Sequence, residues 1–159
     1  MPKILVATDG SRGGHAAVRF AARLAGAMRS ARVHAILIGT TMRDSIFGTS
    51  GVPFPNTALP EMVKEEKRRA ELVLAAAARE FRKHGLRPQV RYIAPTDLAP
   101  VATAILREAD RIDADLIVVG SAGHGGLRRW MLGSVANRLT HAASRPVAVV
   151  HPPRTRRGK

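Results

Sequence analysis

The sequence predicts an α/β domain on a mostly parallel sheet, and three observations predict it. Short apolar runs alternate with longer stretches of helical period along the chain. Runs such as KILVAT (Lys3–Thr8) and LIVV (Leu116–Val119) do not alternate with polar residues, as strands buried on both faces should not. After Val119 the chain passes into a glycine loop, Gly120, Gly123, Gly125 and Gly126, and a new helical pattern opens at Gly133-Ser134. Strand, glycine loop and helix start, in that order, are how an α/β protein builds a phosphate cradle.

The elements follow in order. KILVAT is strand 1, ended by Asp9-Gly10-Ser11, with Ser11 placed to cap the next helix. From Gly14 to Met28 apolar residues recur at helical spacing (Ala17, Phe20, Ala21, Leu24, Met28), with Arg12, His15, Arg19 and Arg23 on the opposite face. Ala31–Ile38 is strand 2, and its His34 is expected to be packed or edge-facing rather than a ligand. Gly39–Pro60, rich in Gly, Pro, Ser and Thr, is longer than most connections in a compact domain and is expected to be a mobile loop. Glu61–His84 is a long helix with Val63, Ala70, Leu74, Ala77 and Phe81 on its buried stripe, and Gly85 ends it. Gln89–Ala94 is strand 3. Helix 3 is expected to start at Pro95-Thr96-Asp97, capped by Thr96 or Asp97, with Leu98, Val101, Ile105, Ala109 and Ile112 inside. Strand 4 is Leu116–Val119, helix 4 runs from about Ser134 to Ala143, and strand 5 is Pro146–Val150.

Composition bounds the function classes. The 159 residues suit one domain, expected over 1–151 with a basic tail at 152–159. There is no cysteine, hence no disulfide frame and no thiolate metal site. No apolar run approaches the ~18 residues of a membrane span, so no membrane insertion is expected. The N-terminal apolar run is too short for a signal peptide, and the expected location is the cytoplasm. A net charge of +14 and a pI near 11.7 favour anionic partners. The aromatic content of 4% argues against single-strand nucleic-acid binding, which stacks bases on aromatic rings.

Fold logic brings the chemistry together. In an open parallel sheet the ligand lies at the carboxyl ends of the strands, where strand order reverses. With strand 1 central and strand 4 beside it, Asp9 and the loop after Val119 meet there. Neither a G-x-x-x-x-G-K-[ST] loop nor a G-x-G-x-x-G after strand 1 is present. Ser121, His124 and Asp9 do not make a nucleophile triad, since no G-x-S-x-G elbow holds a serine. What stands in the sequence is Gly120, two residues, Gly123, nine residues, then Gly133-Ser134. Glycines let the backbone approach an anion, and the helix start offers unsatisfied N–H groups and a positive dipole end.

That spacing resembles the G-x2-G-x9-G-[ST] nucleotide motif of the universal stress protein family. KILVATDGS resembles the family's first strand, DADLIVVGSAGHGGLRRWMLGSVANRL and RPVAVV its closing segment, so the likeness covers the chain outside Gly39–Pro60. The resemblance implies a three-layer Rossmann-like fold of the adenine nucleotide alpha hydrolase-like type, five parallel strands in order 3-2-1-4-5, that binds ATP with Mg²⁺. It places Asp9 by the ribose or a metal bridging the phosphates, Ala7 and Thr8 on the adenine side, and Ile38 as an apolar adenine contact. Gly120, Gly123, Gly133 and Ser134 would hold phosphates and ribose, with Ser121 and His124 in the same loop and a backbone contact from Val135. His124 stands where an arginine is common in the family.

The expected function is an ATP-binding regulator in stress response with little or no hydrolysis. Two alternatives stand beside it: a slow ATP-hydrolysing enzyme on the same fold, without the S-G-G-x-D-S signature, and a basic module that binds nucleic acid or an anionic partner. Strand 5, PVAVV, is expected to be an unblunted edge that pairs with its own copy through Val147–Val150 to form a homodimer.

Overall fold

The computed structural model describes residues 1–28, 30–39, 59–94, 99–122 and 132–153. Elements run in the order β1 (Lys3–Ala7), α1 (Arg12–Ala27), β2 (Arg32–Ile38), α2 (Leu59–Arg82), β3 (Gln89–Ile93), α3 (Val101–Ile112), β4 (Leu116–Gly120), α4 (Ser134–Ala142) and β5 (Val147–Val150). The five strands form one sheet in the order β3-β2-β1-β4-β5, every pair parallel. Order and direction match the expectation.

Alternate side chains of each strand face opposite layers, which is why the strands are apolar throughout. Ile4, Val6, Val33, Ala35, Leu37 and Val118 face one layer, packed with α1 and α2. Leu5, Ile36, Ile117 and Val119 face the other, packed with α3 and α4. The first face is closed by small residues of α1, where Ala17, Ala21, Ala22 and Ala25 are fully buried, and by Phe81 of α2. Burying a phenyl ring of that size stabilises by roughly 1.5–3 kcal/mol.

Local signals set most helix ends. The Ser11 hydroxyl oxygen accepts from the Gly14 N–H at 3.1 Å, capping α1 as expected. After α2, Gly85 takes φ +72° while its N–H donates to the Arg82 carbonyl at 3.0 Å and that of Leu86 to Phe81 at 3.2 Å. The start of α3 differs from the expectation: the N-cap is Pro100, with no side-chain cap, and the helix begins at Val101. Thr96, Asp97 and Leu98 lie outside the described residues. The Pro100 ring supplies a fixed φ where no amide donor is needed, so the chain can turn helical there without a polar cap. At the other end of α3, Asp113 takes φ 53°, and Arg145 donates to the carbonyls of Ala109 and Ala114 at 3.0 and 2.7 Å and pairs with Asp110. A cation on the last carbonyls of a helix complements its dipole. His34 lies on interior strand β2, paired on one side with Leu5 and on the other with Gln89, and is partly buried rather than at an edge. Among the described residues, no helix is long and apolar enough to cross a membrane.

Candidate functional site

The carboxyl ends of β1 and β4 lie side by side, with Val6 registered on Val118. The chain leaves β1 through a tight turn. Thr8, buried, donates its N–H to the Ile36 carbonyl at 3.0 Å and accepts from the Gly10 N–H at 3.3 Å on its hydroxyl. Asp9 Oδ1 accepts from the Ser11 N–H at 2.9 Å, which fixes the carboxylate at the mouth of the turn. Gly10 takes φ +78°, a conformation that a side chain would strain.

Beyond β4, Ser121 is buried, and its N–H donates to the Val150 carbonyl at 2.9 Å. Its own carbonyl accepts from the Gly133 N–H at 2.7 Å. The two ends of the glycine stretch therefore meet, and the start of α4 is tied to the end of β4. Gly133 is the N-cap of α4 and, having no side chain, leaves its first turn without a side-chain cap. Ser134 does not cap the helix; it is the first helical residue and is exposed. A helix start carries N–H groups with no partner inside the helix and a positive dipole end.

The structure thus brings Thr8, Asp9, Gly120, Ser121, Gly133 and Ser134 to the carboxyl ends of two adjacent central strands. Ala7, Ile38 and Val135 pack on one and the same face, the α3–α4 layer. Gly123 and His124 lie outside the described residues, as does most of the Gly39–Pro60 loop.

Ile38 also lines a cavity of about 160 Å³ at the ends of β2 and β3. Gly39, Ile93, Val101 and Ala104 supply apolar walls, and Arg107, Glu108 and Arg111 a polar one. Glu108 is 5% exposed. It accepts from Arg111 Nε and Nη2, both at 2.7 Å, and from Arg91 Nη1 at 3.2 Å. The hydrogen bonds from Arg111, with the Arg91 charge assisting, outweigh burial and hold its carboxyl below the usual carboxylate range. His34 is pushed below its ordinary value by burial and then by the Arg111 charge. Sequence reasoning did not find this network; the i,i+3 spacing of Glu108 and Arg111 was its one local signal.

The sequence pattern opens the helix at Gly14 and assigns Gly13 no role, yet both glycines set how closely α1 approaches the site. A methyl on Gly13 would stand 2.2 Å from the Ala122 carbonyl oxygen, and one on Gly120 would stand 2.4 Å from the Gly13 carbonyl carbon. A methyl on Gly14 would meet Thr8 Oγ1 at 2.6 Å and Asp9 Oδ1 at 2.8 Å. Gly120 lies against the backbone of α1 on the side where a side chain would stand. The signal was the glycine doublet itself, since glycine in a helix costs about 1 kcal/mol against alanine and needs a packing reason.

Residues 1–151 match the model of the universal stress protein family. The chain belongs to that family. It is 30% identical to the universal stress protein YxiE of Bacillus subtilis over 152 residues, which covers 93% of this chain and 97% of that one. Two solved structures share its fold. The universal stress protein of Archaeoglobus fulgidus in complex with dAMP has a TM-score of 0.65 at 24% identity, covering 94% of this chain and 98% of that one. A universal stress protein in complex with cAMP has a TM-score of 0.67 at 22% identity, covering 96% and 98%. The five-stranded order is thus set in the Rossmann-like universal stress protein fold. Among the described residues, no group of three or more His, Cys, Asp or Glu could hold a metal ion by itself.

Proposed function

We propose that this universal stress protein binds ATP with Mg²⁺ at the carboxyl ends of β1, β2 and β4 and acts as a nucleotide-dependent regulator in stress response. One observation carries the reading: the uncapped start of α4 is tied by the 2.7 Å Gly133–Ser121 hydrogen bond to the strand end beside Asp9. The residues fit the group. Backbone N–H groups of Ser134 and Val135, with the Ser134 hydroxyl, would hold phosphate oxygens. Asp9 would take the ribose or a Mg²⁺ ion shared with the phosphates, which a protein site without a carboxylate cluster needs. Ala7 and Thr8 at the end of β1, with Ile38 on the wall of the cavity at the end of β2, would take the adenine. Gly123, Ser121 and His124 complete the loop in this reading. The dAMP and cAMP complexes of the two similar proteins support an adenine nucleotide as the ligand class.

When bound, the nucleotide supplies an occupancy signal, and the sequence offers no strong general base for activating water at the γ-phosphate, so turnover is expected to be slow. We place the protein in the cytoplasm. The edge position of β5, half-buried along Val147–Val150, supports a homodimer through that strand. The test is to denature protein purified from cells and identify what it releases: an adenine nucleotide is expected. Protein that carries none and gives no heat with ATP and Mg²⁺ would sink the proposal.

A further inference from the structure

On the face opposite α3 and α4, α1 and α2 run side by side in the same direction. Gly10, just before α1, lies against Val73, and Gly26 lies against His84. Between the helices is a cavity of about 280 Å³, lined by His15 and Arg19 from α1, by Arg79 and Glu80 from α2 and by Lys83 just past its end, over a floor that includes Val18. Glu80 is the single carboxylate in this lining, and Lys83 already meets it at 2.7 Å. Arg19 and His84 add to the positive field around it. Arg19 and Arg79 are exposed and make no ion pair among the described residues, so the groove keeps unneutralised cations from both helices.

We propose that the α1–α2 groove binds a compact oligophosphate, an anion of two or more linked phosphates, at a site separate from the nucleotide site. Three features select that occupant. Guanidinium forks reach in from both walls, and their planar donor geometry matches phosphate oxygens. Among the described residues the lining holds no Phe, Tyr or Trp, the large rings on which bases stack best, so the anion is recognised by charge rather than by a nucleobase. The lining extends only over His15–Arg19 and Ala76–Lys83, which suits a small anion better than a long duplex, since a duplex needs a row of phosphate contacts along its backbone. The surrounding charge of +14 draws such an anion in at low ionic strength.

The probe is inorganic tripolyphosphate, titrated calorimetrically into the full chain at low salt. The Ser134→Glu background carries a carboxylate at the start of α4, so binding there is suppressed and the outcome does not depend on the nucleotide reading. We expect tripolyphosphate to bind the Ser134→Glu protein and to bind about tenfold or more weaker once Arg19→Glu and Arg79→Glu are added. Both arginines are exposed, and an unchanged melting temperature confirms that the triple variant is folded. Equal binding with and without the two arginines, or no binding at millimolar tripolyphosphate, would overturn the proposal. So would duplex DNA binding that needs Arg19 and Arg79 while tripolyphosphate binding does not.

Discussion

On one face of the sheet, α1 lies down on fully buried alanines and brings its first turn into backbone contact with β4 at Gly13 and Gly120. On the other face, α3 stands over a cavity of about 160 Å³ and turns a buried glutamate toward two arginines. Both layers cover the same parallel strands, yet the α1–β4 contact has no room for a methyl, whereas α3 leaves a cavity at the ends of β2 and β3. Close packing fixes the positions of Thr8, Asp9 and Ser121 relative to one another, whereas the open side gives a ligand somewhere to lie. A binding site needs both: a rigid wall that holds the polar groups and a neighbouring volume that the chain itself does not fill.

The comparison can be broken at its tightest point. Gly120→Ala puts a methyl into the Gly13 backbone, where no side-chain rotation can relieve it. The expected loss is about 3 kcal/mol of unfolding free energy, measured by urea denaturation. A loss under about 1 kcal/mol would mean that the α1–β4 contact is looser than described.

The open side should respond less, and through charge. Glu108→Gln leaves Arg91 and Arg111 without their carboxylate, and because both arginines are half exposed the expected cost near neutral pH is about 1–3 kcal/mol. The pH dependence separates two contributions. Glu108 titrates lower in the folded state than its ordinary 4.5, so its stabilisation is present above that value and is lost as pH falls through the folded value. His34 is also lowered from 6.5, so protonation favours the unfolded chain and stability begins to fall as pH drops below that value. Urea melts across acid pH should show both phases in the parent protein. In Glu108→Gln the acidic phase should shrink to what Glu80, lowered by its hydrogen bond from Lys83, still contributes, while the His34 phase remains, since Glu108 works to raise His34 rather than lower it.

The smallest effect belongs to a glycine of a third kind. Gly85 has no heavy atom within 4 Å of an added methyl, and its φ of +72° is all that opposes one. Gly85→Ala should cost about 1 kcal/mol, the strain of a left-handed residue alone. Equal losses at Gly85 and Gly120 would contradict the distinction between conformational and packing glycines.

Much of the architecture was legible because its causes are local. Apolar runs marked β1 and β4, Ser11 marked the start of α1, and Gly85 marked the end of α2, each through an interaction within a few residues. The Gly133-Ser134 helix start was legible for the same reason. What escaped has its cause at a distance. Gly13 matters because Gly120, from the other end of the chain, lies against it; the Gly13-Gly14 doublet signals a close approach but does not say to what. Glu108 is buried because Arg91 reaches across from β3; from its helical neighbours alone it reads as an ordinary surface acid. The N-cap of α3 was missed because Thr96 and Asp97 are better caps than Pro100 by side-chain chemistry, while the observed start needs only a fixed backbone angle.

The central claim is that the start of α4, which has no side-chain cap at Gly133, holds the phosphates of an adenine nucleotide. Ser134→Glu tests it cleanly, because an acid in the first turn of a helix suits the dipole and should leave the fold as stable as before or slightly more so. Calorimetric titration with ATP and Mg²⁺ should give saturable binding in the parent protein and at least a tenfold loss in Ser134→Glu, with an unchanged or higher melting temperature. Equal affinity in the two proteins would contradict the account.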